Sequence, residues 1–253
     1  MPRRILGVIP ARFASSRYPG KPLAILAGKP LVQHVFERAS RARYLSQVLV
    51  ATDDERIAVT ARRFGAPVRM TRADHASGTD RAAEAAAADT AELVVNIQGD
   101  EPLIEPGAID TAVLGLLEAE DVPMCTLKKR IEDHRELVNP NVVKVVTDRF
   151  GNAIYFSRSR IPYVRDGQDR QECLSYKHIG LYVYRRGFLL GYSQLPVGPL
   201  EQAERLEQLR ALENGYKIRV VETEYESLGV DTPEDLERVA SLLAASRPTN
   251  SHG

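Results

Sequence analysis

Ile5-Leu6-Gly7-Val8-Ile9-Pro10-Ala11-Arg12-Phe13-Ala14-Ser15-Ser16-Arg17-Tyr18-Pro19-Gly20-Lys21-Pro22 joins an apolar run to a basic loop with no spacer between them. The run Ile5 to Ile9 reads as a first buried strand. The loop that follows carries Arg12, Arg17 and Lys21, with the hydroxyls of Ser15 and Ser16 between them. At the carboxyl end of a strand, such a loop suits a polyphosphate: cations neutralise its charge, and backbone N–H groups and hydroxyls cradle its oxygens. It is not a Walker A loop, because Pro22 follows Gly20-Lys21, and it lacks the glycine spacing of a dinucleotide fingerprint. A solvated basic loop is the plainer alternative.

Working outward from this loop, Leu31, Val32, Val35, Phe36, Ala39 and Ala42 recur at helical spacing, which predicts a helix over 30–43. A second strand is expected over 47–52 and a second helix from Asp53-Asp54 to about Phe64, stopped by Gly65 and Pro67. A short strand over 68–71 leads into a loop over 72–80, where Thr79 is the expected cap of a helix over 81–88. The most apolar strand of this half, 93–97, ends in Gln98-Gly99-Asp100-Glu101-Pro102, and a helix over 107–119 follows. Strand and helix alternate throughout, so the fold class is α/β. A mostly parallel sheet is expected, with right-handed crossovers and helices on both faces.

The second half is less regular. Strands are predicted over 124–129, 142–147 and 153–157, with a turn at 148–152 that makes the last two a hairpin. The polar stretch 159–172 reads as a mobile loop, 177–184 as a strand, 200–213 as one helix and 217–222 as a last strand. In Gly229-Val230-Asp231-Thr232-Pro233-Glu234-Asp235, Thr232 suits a helix N-cap, Pro233 the first helical position and Asp235 the third. The apolar residues between Tyr182 and Leu195 fit either core or a subunit contact. With no repeat and no low-complexity linker, one domain over 1–245 is expected, in which about 150–200 form an inserted subdomain, followed by a flexible tail over 246–253.

Composition narrows the function. The chain has 253 residues, 43% of them hydrophobic, and 34 basic residues balance 34 acidic ones. There is no overall charge to draw it to nucleic acid or a membrane, so an anion site must be a local concentration of charge. Cys125 and Cys173 form neither a disulfide framework nor a metal-spacing motif, which fits a reducing compartment. The first apolar run is too short for a signal-peptide core and no stretch approaches a membrane span, so a cytoplasmic protein is expected.

In an open parallel sheet, ligands bind beyond the carboxyl ends of the strands. The loops after the first, third and fourth strands should therefore share an edge, bringing a cationic cradle up to Asp100. That pairing suggests a nucleoside triphosphate with Mg²⁺, which is commonly held by one or two carboxylates plus substrate phosphates. Asp231, in a second strand-to-helix turn, is a candidate for the other carboxylate. Each aspartate also has a plain reading as a turn or helix-start residue. No zinc spacing and no acyl-transfer elbow is present.

The opening segment resembles the signature of sugar-activating cytidylyltransferases. Thr71-Arg-Ala-Asp-His-Ala-Ser-Gly-Thr79, Asn96-Ile-Gln-Gly-Asp-Glu-Pro102, Asn139-Pro-Asn-Val-Val-Lys144, Tyr155-Phe-Ser-Arg158, His178-Ile-Gly-Leu-Tyr182, Leu206-Glu-Gln-Leu-Arg210 and Gly229-Val-Asp-Thr-Pro-Glu-Asp235 follow in that order. Within the family they are similar to the branch that acts on the acid sugar 3-deoxy-manno-octulosonate (Kdo). The resemblance runs from Ile5 to about Leu243.

It implies a Rossmann-like, three-layer α/β/α nucleotide-diphospho-sugar transferase fold with a smaller, more antiparallel dimerisation subdomain. It further implies a Mg²⁺-dependent cytoplasmic homodimer converting CTP and Kdo to CMP-Kdo and diphosphate for lipopolysaccharide synthesis. Carried over by position, Lys21, Asp100 and Asp231 are the expected catalytic residues, with Asp100 and Asp231 holding Mg²⁺. Ala11, Arg12, Arg17, Lys21, Arg72, Ser77, Gly78 and Asp100 are expected at the nucleotide. Gln98, Arg158, His178, Tyr182, Glu207 and Gln208 are expected at the sugar, with Arg158 and His178 as donors or cations for its carboxylate. No side chain stands out as a general base, and a hydroxyl acidified by Mg²⁺ is the preferred nucleophile. The competing expectations are another acid sugar (8-amino-Kdo or a sialic acid), a non-catalytic nucleotide-binding relative, and a structural scaffold.

Overall fold

A computed structural model describes residues 3–14, 18–165 and 175–245. In chain order its elements are β1 (Ile5–Pro10), β2 (Ile25–Leu26), β3 (Lys29–Pro30), α1 (Leu31–Ala39), β4 (Gln47–Thr52), α2 (Glu55–Arg63), β5 (Val68–Met70), α3 (Gly78–Ala87), β6 (Leu93–Asn96) and α4 (Pro106–Leu117). Then come β7 (Met124–Arg130), α5 (His134–Val138), β8 (Lys144–Thr147), β9 (Ala153–Ser157), β10 (Tyr176–Arg185), α6 (Arg186–Gly191), α7 (Pro199–Glu204), α8 (Leu209–Glu213), β11 (Ile218–Glu222) and α9 (Pro233–Ala245).

The strands order as β11-β7-β10-β6-β1-β4-β5. β6, β1, β4 and β5 run parallel, as the first half predicts, and β11 is parallel to β7. The hairpin β8–β9 joins the same sheet through β10. β10 is antiparallel to both β6 and β7 and sits between them. Its pairing sets Tyr182 directly opposite Asn96, at the end of β6.

Both faces of the sheet are buried, which is why its central strands read as continuous apolar runs. Along β1, Ile5 and Ile9 enter one core cluster and Leu6 and Val8 the other. Helices α1, α2 and α4 cover the first face; α3, α6 and α8 cover the second. Tyr184, Leu189 and Tyr192 belong to this second core, so these residues of the apolar stretch after Tyr182 are interior. A third cluster, formed by Leu26, Leu31, Val230 and Val239, clamps α9 onto the β2–β3 hairpin. That clamp brings the turn at Asp231 to the loop at Lys21.

Several boundaries differ from expectation for local reasons. Ser77, not Thr79, caps α3: its hydroxyl accepts from Asp80 N at 3.1 Å, and the Asp80 carboxylate accepts from Ser77 N at 3.1 Å. This reciprocal box starts the helix at Gly78. The single helix expected over 200–213 is two, because Arg205 takes a left-handed conformation at φ 52 that ends α7. The cap of α9 is as read, with Asp235 N donating to Thr232 Oγ1 at 3.2 Å. Among the described residues, no helix is long and apolar enough to cross a membrane. Ser15, Ser16, Arg17, Cys173 and the tail over 246–253 lie outside the described residues.

Candidate active site

The site lies beyond the carboxyl ends of β1 and β6. Gly99 turns the chain after β6 so close to β1 that a Cβ there would meet Pro10 O at 2.7 Å, so the approach of the two turns depends on glycine. On the other side, Gly20 at φ 72 opens the short 3₁₀ turn Lys21–Leu23. Lys21 Nζ then donates to Asp100 Oδ2 at 2.7 Å and to Asp231 Oδ1 at 3.1 Å. One ammonium thus joins two carboxylates from distant turns.

The surrounding contacts hold those turns in register. Val230 N donates to Asp100 O at 2.9 Å, and Asp231 N donates to Asp235 Oδ2 at 3.1 Å. Next to Asp100, the buried Glu101 carboxyl accepts from Tyr225 Oη at 2.8 Å and from Ser227 Oγ at 2.7 Å. Burial pushes its pKa up, against the two hydroxyl donors.

Around Lys21 lies a cavity of about 250 Å³, lined by Ala11, Arg12, Lys21, Ser77, Gly78, Arg81, Gln98, Asp100 and Asp231, among others. The first turn of α3 opens into it, so unpaired helix N–H groups and the positive end of the helix dipole add to the cations. A smaller cavity of about 120 Å³ adjoins it across Gly78 and Gln98. Its walls include Thr79, Asn96, Tyr182, Tyr184, Tyr192, Glu207 and Gln208. Two of these present unmatched polar atoms: Asn96 Oδ1 and Gln208 Nε2 have no hydrogen-bond partner, though the residues are only 2% and 5% exposed. An unpaired buried donor and acceptor facing one small cavity is a strong preference for a polar occupant.

A cationic cavity beside a small polar one matches what comparison with known proteins finds. A family model described as cytidylyltransferase matches residues 6–218. The chain belongs to this family. A 3-deoxy-manno-octulosonate cytidylyltransferase of Solibacter usitatus is 69% identical over 246 residues, covering 97% of each chain. One of Geobacter sulfurreducens is 58% identical, covering 94% of this chain and 99% of that protein. Among solved structures, a CMP:2-keto-3-deoxy-manno-octonic acid synthetase complexed with CTP superposes with a TM-score of 0.91 at 44% identity, covering 96% of this chain and 100% of that one. A 4-diphosphocytidyl-2C-methyl-D-erythritol synthase from Anaerococcus prevotii shares the fold at a TM-score of 0.62 and 14% identity.

As a cytidylyltransferase, the chain gathers most of the residues that its motifs single out. Ala11, Arg12, Lys21, Ser77, Gly78, Gln98, Asp100 and Asp231 meet in the larger cavity, and Gln98, Tyr182, Glu207 and Gln208 in the smaller. Burial raises the Glu207 pKa, the largest of several influences on it. Arg72 is exposed and paired with Asp74 at 2.7 Å; it lines the wide outer groove between α3 and α7 instead. The Arg158 guanidinium is used within the protein, donating to Glu204 O at 2.7 Å and Pro140 O at 3.1 Å, and it lines neither cavity. Arg81, Thr79, Asn96, Tyr184 and Tyr192 join the walls without having been singled out. Arg81 pairs with Asp53 at 3.1 Å.

His178 stands behind the small cavity, its ring 5.4 Å from that of Tyr182 and edge-on to Phe156 at 5.0 Å. Its Nε2 is 2.9 Å from Thr126 Oγ1. Loss of water around the ring pushes its pKa down from 6.5 to about 3. It is therefore neutral in the folded protein and supplies no positive charge for a carboxylate, which leaves it the role of donor; its ring packs against that of Tyr182.

The sign of the resulting pH effect is fixed. Below about 6.5 an unfolded His178 takes up a proton that the folded one refuses, so stability falls as pH drops from there toward about 3. His178→Gln is expected to flatten that decline between about pH 6.5 and pH 5, by up to about 1.4 kcal/mol per pH unit. Urea midpoints of both proteins across this window check it, and parallel curves would contradict it.

Proposed function

We propose that this chain activates the acid sugar Kdo, joining CTP and Kdo to give CMP-Kdo and diphosphate. The observation that carries the reading is the Lys21 bridge to Asp100 and Asp231 in the wall of the larger cavity, which adjoins the smaller one across Gly78 and Gln98. The names of the relatives and the CTP complex of the structural neighbour support it.

In this reading the triphosphate lies in the larger cavity, where Arg12, Lys21 and the start of α3 neutralise its oxygens. The sugar lies in the smaller cavity, where Asn96 Oδ1 and Gln208 Nε2 take up its hydroxyls. Gln98 belongs to both cavities, so it is placed to align the anomeric hydroxyl with the α-phosphorus. The hydroxyl oxygen forms the new P–O bond in line, the bond from the α-phosphorus to the bridging oxygen breaks, diphosphate leaves, and the hydroxyl proton passes to solvent. The protein's part is positioning and electrostatics.

The donor set fits Mg²⁺, with Asp100 and Asp231 as its ligands. Two carboxylates from distant turns approach one cationic point, and among the described residues no larger cluster of His, Cys, Asp or Glu competes. Hard oxygen donors in that number suit this ion when phosphates complete the shell. When bound, it would supply charge neutralisation and a lowered hydroxyl pKa.

A cytoplasmic homodimer is part of the same reading. The exposed apolar residues Phe150, Ile154 and Tyr163 support a subunit contact within the stretch 150–200. Sedimentation of the wild type beside Phe150→Ser/Ile154→Ser checks that contact; an unchanged dimer would move it elsewhere.

The decisive experiment is diphosphate release with CTP, Mg²⁺ and Kdo, run beside sialic acid, 8-amino-Kdo and no sugar. Release with Kdo is the expected result. Release with another acid sugar alone would move the specificity, and none from folded, CTP-binding protein would refute catalysis.

A further inference from the structure

The break between α7 and α8 turns Glu207 and Gln208 toward the small cavity, and it rests on an unfavourable residue. Arg205 carries a side chain at φ 52, where glycine is normally found. Something outside the segment must hold it there. Glu204, the last residue of α7, is clasped from β9: its Oε1 accepts from Ser157 Oγ at 2.6 Å and its Oε2 from Arg158 N at 2.9 Å. The Arg158 guanidinium returns the contact, donating to Glu204 O at 2.7 Å and Arg205 O at 3.5 Å, the carbonyls of the break itself. Glu204 lines neither cavity.

We infer that Glu204 is a positioning residue for sugar binding: with Arg158 it locks the left-handed break that presents Gln208 to the small cavity. This rests on the reading that the small cavity takes the sugar. Glu204, Arg205 and Arg158 do not line the nucleotide cavity, and its link to the break is the long 3.3 Å contact of Ser77 Oγ with Glu207 Oε1, so the effect falls mainly on the sugar.

The test compares steady-state kinetics of Glu204→Ala, Glu204→Gln, Arg205→Val and Arg205→Gly, with Gln208→Ala as the direct-contact reference, each beside its urea unfolding midpoint. Glu204→Ala is expected to raise the KM for Kdo about tenfold or more while the KM for CTP stays within about twofold. Glu204→Gln, which can still accept from Arg158 N and donate to Ser157 Oγ, restores most of the loss. Arg205→Val, whose branched side chain disfavours positive φ, reproduces the loss, and Arg205→Gly, which keeps the conformation, does not. The Arg205 pair carries the test if Glu204→Ala fails to fold. An equal rise in both KM values, or a lowered midpoint with both KM values unchanged, overturns the inference. So does a wild-type KM for Kdo in Arg205→Val. If Gln208→Ala leaves the KM for Kdo unchanged, the reading of the cavity falls and the inference falls with it.

Discussion

Asp100→Asn and Asp231→Asn should each lower kcat by about a hundredfold or more at saturating CTP, Kdo and Mg²⁺, the size of loss that follows removal of one preorganised electrostatic contact. The substitution is nearly isosteric, so it changes charge and leaves packing alone. In the wild type, Lys21 Nζ is shared between the two carboxylates at 2.7 and 3.1 Å. Neutralising either one leaves Lys21 attached to the other, so the turns stay in place and only the combined negative charge is halved. The loss should therefore appear in kcat and in the Mg²⁺ concentration needed for half-maximal rate, with the urea midpoint near wild type. Because the two aspartates act on one point, the double variant should lose far less than the product of the single losses. A second readout does not use turnover: Mn²⁺ titration in the presence of a non-hydrolysable CTP analogue should show weakened binding in both variants. Near-normal rates in both at high Mg²⁺ would refute the assignment.

That the two aspartates meet could be anticipated from strand order only in part. Asp100 follows β6 and the basic loop follows β1, so a parallel sheet places them on one edge wherever the strands are adjacent. Asp231 reaches the same edge by a different cause, the docking of α9 through Val239 and Val230 onto Leu26 and Leu31. Nothing in the local sequence around Asp231 specifies that partner. The same limit applies to β10. Its apolar alternation predicts a strand, but its antiparallel place between β6 and β7 comes from long-range pairing that periodicity does not contain.

Two local misreadings have different origins. The cap of α3 was legible: Asp80 stands three residues after Ser77, which is the reciprocal pattern, whereas Thr79 merely precedes the alanines. The split of α7 from α8 was not. Leu200, Ala203, Leu206, Leu209 and Leu212 keep helical spacing straight through it. Arg205 is forced out of the helix by a clasp from β9, 46 and 47 positions away. The walls of the small cavity were hidden for a third reason. Asn96 ends an apolar strand and Tyr192 lies among core residues, so only the assembled fold shows that Asn96 keeps an unmatched Oδ1 and that the Tyr192 hydroxyl holds the Glu207 carbonyl.

Lys144→Met should destabilise the protein by roughly 2–5 kcal/mol, the cost of leaving two buried carbonyls unsatisfied. Lys144 is fully buried, and its Nζ donates to Asn139 O at 2.9 Å, Val142 O at 2.6 Å and Arg158 O at 2.6 Å. An ammonium has three donors, and all are used. Burial lowers its pKa, opposed by the charge of Glu204, so its presence has a desolvation cost that the three carbonyls offset. Methionine fills most of the volume but leaves the Val142 and Arg158 carbonyls facing apolar atoms, at about 1–3 kcal/mol for each group left unsatisfied, while Asn139 O keeps Val142 N at 3.1 Å. Arginine does not repair the loss, because a planar five-donor fork cannot converge on the point where the three carbonyls meet. Urea unfolding of Lys144→Met and Lys144→Arg provides the measurement. A loss below about 1 kcal/mol in Lys144→Met would mean that the carbonyls find other partners, since that is the net value of one ordinary hydrogen bond. The consequence also reaches the site. Lys144 holds the carbonyl of Arg158, whose guanidinium holds the break at Arg205, so folded Lys144→Met protein should bind Kdo more weakly while binding CTP as before.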